Sequence, residues 1–126
     1  GLIACAAPAT TPEPGELSGG IVATFEVVDE EFRVWVTNPG TLQQILDLQR
    51  GAGSANIPNG RILRGPGQAE RNEPWSWHLD HEQIEMAEIT VEVCDGMPSF
   101  AEEVDYFVET VGHYCPWSAR LVAVED

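Results

Sequence analysis

Two histidines and an aspartate lie close together in the sequence and carry side chains that bind divalent metal ions. His78, Asp80 and His81 fall within four residues, and Glu82 and Glu85 follow them. Imidazole and carboxylate groups at such short spacing can hold zinc or another divalent cation. On a β-strand, however, His78 and Asp80 share a face while His81 points away. A solvated polar connection is therefore the favoured interpretation, and we expect no cofactor, with a divalent cation as the weaker alternative.

The serines and cysteines do not form a recognisable catalytic pattern. The sequence contains no Gly-x-Ser-x-Gly motif and no glycine-rich phosphate loop. Ser76 falls in a strand-like run, and Ser99 opens a capping pattern at the start of a predicted helix. We therefore expect that the protein is not an enzyme, with a metal-dependent hydrolase using the histidine cluster as the remote alternative.

The three cysteines suggest one disulfide and one thiol with a different role. Cys94 ends an alternating, strand-like run, and Cys115 lies shortly before another, so we predict a Cys94–Cys115 bond. Such a bond requires an oxidising compartment, which indicates a secreted or cell-surface protein. Two buried free thiols are the alternative interpretation, since the prediction depends on spacing alone.

The charge balance restricts the class of partner. The chain carries 21 Asp and Glu against 6 basic residues, all of them arginine, for a formal net charge of -15. Such a field repels phosphate backbones and anionic lipid, so we expect no nucleic-acid binding and no membrane insertion of the mature domain. An acidic surface that keeps an extracellular protein soluble is the simplest interpretation. Four arginines form a local positive region that an acidic face of another copy could meet: Arg50, Arg61, Arg64 and Arg71.

The four tryptophans raise the question of carbohydrate binding, because aromatic rings stack on the faces of sugars. They are Trp35, Trp75, Trp77 and Trp117. Packing in the core and against the disulfide is the more common use of such residues. Carbohydrate therefore remains an alternative partner.

Residues 1–19 form a predicted extended tail. The run Leu2, Ile3, Ala4, Cys5, Ala6 and Ala7 is apolar and precedes a spacer that contains three prolines. Such a segment has the form needed to add as a strand to an exposed sheet edge of another molecule. Packing against its own domain is the alternative. Within the spacer, Thr10 and Thr11 are candidate sites for O-linked sugar, with an unmodified spacer as the alternative.

The start of the tail resembles the processing motif of bacterial lipoproteins. Leu2-Ile3-Ala4-Cys5 is similar to a lipobox, in which the cysteine receives the lipid. The resemblance implies an exported protein and, as an alternative function, a tethered envelope lipoprotein. Because four residues precede Cys5 here, we expect that Cys5 is not the mature first residue in this chain.

These residues must be positioned by a single domain of residues 20–126. Alternation predicts a β-hairpin over Gly20–Val28 and Phe32–Thr37. Asn38-Pro39 then predicts the start of a helix that ends at Gly51. Residues 52–73 are rich in turn-forming residues and predict a long surface loop, with one short strand at Arg61–Arg64.

The second half of the domain predicts three further strands and one helix. The strands are Trp75–Leu79, Ile89–Cys94 and Trp117–Val124, with a polar connection or single helical turn over 80–88. The helix runs from the capping pattern at Ser99 to Gly112. The predicted fold class is α+β, with an antiparallel or mixed sheet of about five strands and two helices on one face.

Across residues 19–122 the sequence is similar to a small family of secreted bacterial domains and to the N-terminal part of a slime-mould prespore protein described as calmodulin-binding. Five segments carry the resemblance: 19–25, 32–39, 57–63, 75–79 and 114–117. The resemblance implies no catalytic mechanism. The chain also lacks the basic amphipathic helix of calmodulin targets, so we do not expect that activity here.

Together these observations favour an extracellular structural or adhesive protein that binds other copies of itself. Leu2–Ala7 of one copy would dock into the next, and repetition of such a contact without closure produces a filament. The alternative is a monomeric envelope lipoprotein or secreted module that binds a cation or a glycan.

Overall fold

The computed structural model describes residues 17–126 and confirms the α+β class. Within that range there are six strands and two helices. The helices are α1 (Pro39–Gln49) and α2 (Val104–Tyr106). The strands are β1 (Ile21–Val27), β2 (Glu30–Val36), β3 (Ile57–Arg64), β4 (Trp77–Ala87), β5 (His113–Tyr114) and β6 (Ala119–Glu125).

The strands form two antiparallel sheets of three rather than the single sheet of about five that the sequence predicted. One sheet has the order β2-β1-β6 and the other β4-β3-β5. The division arises where β4 leaves its ladder with β3. Gly60 pairs with Ile84 and Ile62 with Leu79, so residues 80–83 of β4 face a single residue of β3. This large bulge swings β4 toward β2, where the Thr37 amide donates to the His81 carbonyl at 3.3 Å.

The predicted hairpin and first helix are confirmed. Strands β1 and β2 pair in register from Ile21 opposite Val36 to Val27 opposite Glu30. Helix α1 begins after Asn38, whose side-chain oxygen accepts from the amides of Gly40 and Thr41 at 2.9 and 3.3 Å. Both elements are specified by local signals, which are alternation for the strands and an Asn cap with proline for the helix.

The predictions for residues 52–88 were partly wrong. Strand β3 begins at Ile57 rather than Arg61, and β4 runs unbroken to Ala87 where a polar connection was expected. Ile84 and Met86 are buried on β4 in spite of their acidic neighbours. Two widely separated apolar residues were too weak a signal, and the pairing between strands, rather than the local pattern, produces this element.

The predicted strand Ile89–Cys94 is absent from the structure. Residues 89–91 lie outside any strand, and Glu92–Cys94 form a 3-10 turn. The Cys115 amide donates to the Cys94 carbonyl at 2.8 Å, which holds this segment beside the very short strand β5. The alternating pattern thus had no neighbouring strand with which to pair, and Ile89, Val91 and Val93 are exposed.

The second helical region is made of three short pieces rather than one helix. A 3-10 helix at Pro98–Glu102 precedes α2, and a π-type turn follows at Phe107–Val111. Gly112 ends the region in a left-handed conformation with φ 84°, as predicted. Ser99 does not cap the helix. Its amide and hydroxyl instead donate to the carboxylate of Glu30 at 2.8 and 2.9 Å, which ties this region to the hairpin turn.

The core lies among the inward faces of both sheets and is centred on aromatic side chains. The ring of Trp77 is 4.9 Å from that of Tyr114 and 5.5 Å from that of Phe32, and all three are buried. The Tyr114 hydroxyl donates to the Gly96 carbonyl at 2.7 Å, so its polar end is satisfied within the fold.

Tyr114 makes stability dependent on alkaline pH. Burial, with contributions from Asp95 and Glu30, raises the pKa of Tyr114 well above its ordinary value. Because an unfolded tyrosine ionises at about pH 10, the free energy of unfolding stays constant below that pH and decreases above it. Urea unfolding between pH 8 and 11 tests this decrease. Tyr114→Phe should be less stable at pH 8 but should lose the part of the slope due to this group; equal slopes in both proteins would contradict the assignment.

Candidate interaction surface

The structure confirms the predicted disulfide. Cys94 and Cys115 are bonded, with their Cα atoms 5.1 Å apart, and both residues are buried. Ile57 packs beside them. The bond therefore fastens the segment after β4 to the segment after β5, where regular strand pairing is short.

The three predicted metal ligands are not brought to one point. The ligand atoms of Asp80, His81 and Glu82 lie within 4.8 Å of one another, in the bulge of β4. His78 is outside this group, because its Nδ1 lies 2.9 Å from the Gly65 carbonyl oxygen. The Nδ1 of His81 is 2.8 Å from the hydroxyl oxygen of Thr37, and the Asp80 carboxylate accepts from the Glu82 amide at 3.0 Å. These side chains already have partners within the fold.

The four tryptophans do not form a common face for sugar binding. Trp77 and Trp35 are buried, and Trp75 is half-buried with its ring 6.5 Å from that of Trp77. Trp117 is 39% exposed, and its Nε1 donates to the Val91 carbonyl at 3.2 Å. Three of the four rings thus serve packing, and Trp117 alone among them offers an open face.

The predicted positive region is partly neutralised by intramolecular ion pairs. Arg64 contacts Asp105 at 2.6 Å and also pairs with Glu109, while Arg50 pairs with Asp47. The hydrogen bond from Asp105 and the charge of Glu109 raise the pKa of the Arg64 guanidinium. Exposed pairs of this kind add little stability, but they reduce the positive charge that another copy would meet.

The outer edge of β2 is covered by the segment that follows β3. The Arg33 amide donates to Asn72 Oδ1 at 2.8 Å, and the Glu31 carbonyl accepts from Trp75 Nε1 at 2.7 Å. Asn72 is itself buried, so this contact is part of the core. The edge of β2 therefore has no free row of main-chain groups to offer another strand.

The edges of the second sheet are also occupied. On β4, the Trp77 carbonyl accepts from Asn72 Nδ2 at 2.7 Å, and the Ile84 carbonyl accepts from the Thr41 hydroxyl at 2.6 Å. On the other side of that sheet, β5 has only two residues and is followed by the disulfide. Neither edge offers the length that strand addition needs.

The edge strand β6 differs from these three. It is the last strand in the order β2-β1-β6. The carbonyl of its first residue, Ala119, accepts from Asn56 Nδ2 at 3.3 Å. Among residues 17–126, no other hydrogen bond reaches the outer side of the β6 main chain. Strand β6 thus presents an open edge over residues 120–125.

The register shows which main-chain groups of β6 point outward. The Arg33 amide points away from β1, so its partner Thr24 directs its main chain to the other side, toward β6. Thr24 pairs with Ala123, whose amide and carbonyl therefore face inward. By alternation, the main-chain groups of Leu121 and Val124 face outward. A bulge between these positions leaves Val122 without a residue opposite it on β1.

Two shallow depressions run along this open edge. One of about 450 Å³ lies near the start of β6 and one of about 190 Å³ near its end. Leu48, at the end of α1, and Leu121 line both of them, and Trp117 lines the larger. The surface they share is mostly apolar, and Arg120 is the single charged residue between Ala119 and Val124. Its side chain pairs with Glu26.

Comparison with known families matches the N-terminal domain of calmodulin-binding prespore protein-like chains over residues 21–126. The chain belongs to this prespore-protein N-terminal domain family. No curated protein and no solved structure matches it significantly. This confirms the family resemblance that the sequence suggested.

The match to the prespore-protein N-terminal domain begins at the first residue of β1 and includes every element described above. The docking residues predicted at Leu2–Ala7, and the glycosylation sites predicted at Thr10 and Thr11, lie outside the described residues. Within residues 17–126, no helix has the length and hydropathy needed to cross a membrane.

Sequence analysis of this prespore-protein N-terminal domain missed the open edge itself. The apolar run Leu121–Val124 was recognised as a strand. Nothing in that run shows whether the strand is central or terminal, because strand order depends on contacts between distant segments. The one local signal was its lack of acidic residues, which is unusual in a chain of net charge -15.

Proposed function

We propose that this protein is an extracellular, non-catalytic structural protein that assembles with copies of itself. In this proposal, Leu2–Ala7 of one copy adds as a strand to an exposed sheet edge of the next copy. The observation that supports it best is the open edge of β6 in a domain whose other sheet edges are covered. No cofactor takes part in the proposed assembly.

The disulfide supports an extracellular location. Cys94 and Cys115 are bonded, and disulfides persist in oxidising compartments such as the cell exterior. The net charge of -15 is consistent with a protein that stays soluble there.

The distribution of charge favours contact through the tail. Two copies of net charge -15 repel each other, so a stable contact between them requires surfaces with little negative charge. The first charged side chain in the sequence is Glu13, so residues 1–12 have no charged side chain. Docking of this segment brings no further carboxylates into the contact. The donor and acceptor surfaces differ, so the contact is heterologous and can extend into a filament.

The proposal is tested by comparing the whole chain with one that begins at Ser18. All described strands and helices lie within residues 21–125, so this truncation removes none of them. We expect the whole chain to increase in mass with concentration in sedimentation velocity, and to form filaments in negative-stain microscopy. The truncated chain should remain monomeric with an unchanged circular dichroism spectrum.

A synthetic peptide of residues 1–17 provides the matched binding experiment. We expect it to bind the truncated domain, whereas a peptide of the same composition in scrambled order should not. Monomers of the whole chain at every concentration, with no binding of the peptide, would refute self-assembly.

A further inference from the structure

We infer that the acceptor for the tail is the outer edge of β6, together with the groove between β6 and the end of α1, and that the occupant is Leu2–Ala7 of a second copy. This inference rests on the proposed self-assembly and adds the position of the docking site. Three observations support it, which concern the main chain, the side chains and the charge.

The main chain of β6 offers the required hydrogen-bonding groups. Leu121 and Val124 direct their amides and carbonyls away from β1, and no described residue pairs with them there. The corresponding groups of β2 and β4 are bonded to Asn72, Trp75 and Thr41. An added strand would give the β6 groups partners without disturbing any existing bond.

The groove beside β6 provides space for the side chains of an added strand. Alternate residues of a strand point to opposite faces, so Leu2, Ala4 and Ala6 would share one face of the tail. The two depressions along β6 meet at Leu48 and Leu121, and lie on the side where α1 ends. The exposed ring of Trp117 lies at the larger one and offers an apolar surface for Leu2 or Ile3.

Charge also distinguishes β6 from the rest of the surface. Between Ala119 and Val124 the strand has no carboxylate, and its one charge, Arg120, is paired with Glu26. An uncharged edge strand of alternating apolar residues is the kind of edge that natural proteins normally protect. Here, the bulge at Val122 is the one interruption of its ladder with β1.

The direction in which the chain leaves the sheet favours a second copy as the occupant. Val22, near the start of β1, pairs with Glu125, so the chain preceding β1 departs beside the end of β6. To reach the groove in its own domain, the tail would have to turn back over β6. Three prolines lie between the apolar run and β1, and proline favours extended spacers over reversal of this kind: Pro8, Pro12 and Pro14.

Val124→Pro in the whole chain tests the edge. Proline at this position removes an outward amide and places its ring where the added strand would lie, but it leaves the ladder with β1 intact. Val124→Ala is the matched control, because it also removes the valine side chain but keeps the amide. We expect Val124→Pro to weaken assembly at least about tenfold in the midpoint concentration, with Val124→Ala within about threefold of the parent.

The outcomes separate this inference from the proposed function. If both variants assemble like the parent and the chain from Ser18 does not, the tail drives assembly and β6 is not its acceptor. If the parent itself stays monomeric, the proposed function fails and the inference fails with it. Circular dichroism and thermal unfolding establish that Val124→Pro is folded, and crosslinking gives a second, independent measurement.

Crosslinking to the native Cys5 identifies the occupant. Ala123 is exposed on β6, so Ala123→Cys places a thiol beside the proposed strand. With a mild oxidant, we expect a ladder of covalent oligomers that disappears when Cys5→Ser is added. Glu85→Cys, which is exposed on β4 in the other sheet, should give no ladder. A bond between Cys5 and position 123 within one monomer would show that the chain's own tail fills the groove, and would overturn docking of a second copy.

Discussion

Trp77→Ala is expected to lower the free energy of unfolding by about 4 kcal/mol, the largest effect of any single substitution considered for this domain. The side chain is fully buried and touches the rings of Phe32 and Tyr114, at centroid distances of 5.5 and 4.9 Å. Its Nε1 donates to the Pro98 carbonyl at 3.2 Å. Alanine would leave a cavity between the sheets and an acceptor without its partner.

Trp117→Ala is the matched control for this substitution. Trp117 also donates its indole N–H to a main-chain carbonyl, but its side chain is 39% exposed. We expect a loss of at most about 1 kcal/mol, because less apolar surface returns to water and no buried cavity forms. Urea unfolding followed by far-UV circular dichroism measures both. Similar losses in the two variants would contradict the central position of Trp77.

The elements predicted correctly are those whose signals are local. The β1–β2 hairpin follows from alternation on both sides of a short polar turn, and α1 from the Asn38 cap and proline. The stop at Gly112 follows in the same way, since glycine adopts a positive φ readily. In each case, a few neighbouring residues decide the conformation.

The elements predicted wrongly are those decided by distant partners. Ile89–Cys94 has an ideal alternating pattern, but the disulfide holds it away from any strand that could pair with it. Residues 80–87 have a poor pattern and are nonetheless a strand, because β3 pairs along Met86 and Ile84. Strand propensity describes how well a residue suits a sheet and does not choose its partner.

The candidate site shows the same division. The sequence indicated the apolar tail and the disulfide, because residue types and spacing are enough for both. It could not indicate the acceptor edge. That Asn72 covers β2 while β6 stays open is a result of the sheet order and of a contact between residues 39 positions apart.

Removal of the disulfide is expected to lower the free energy of unfolding by about 3 kcal/mol, the entropy that a crosslink of this span removes from the unfolded chain. The bonded residues are 21 positions apart in sequence. The bond also acts where few other contacts hold the chain, because Ile89, Val91 and Val93 are exposed and the neighbouring strand β5 has only two residues. The loss should therefore appear both as lower global stability and as faster amide exchange near Cys94.

The double substitution Cys94→Ala with Cys115→Ala measures this effect, and reduction of the parent protein by dithiothreitol should give a similar value. Cys5→Ser is the matched control, because Cys5 lies outside the match to the prespore-protein N-terminal domain and forms no part of this bond. We expect it to leave the unfolding midpoint unchanged. A loss below about 1 kcal/mol in the double variant would mean that strand pairing and the Tyr114 contacts hold this region without the crosslink. The disulfide would then be evidence for the oxidising compartment rather than a main source of stability.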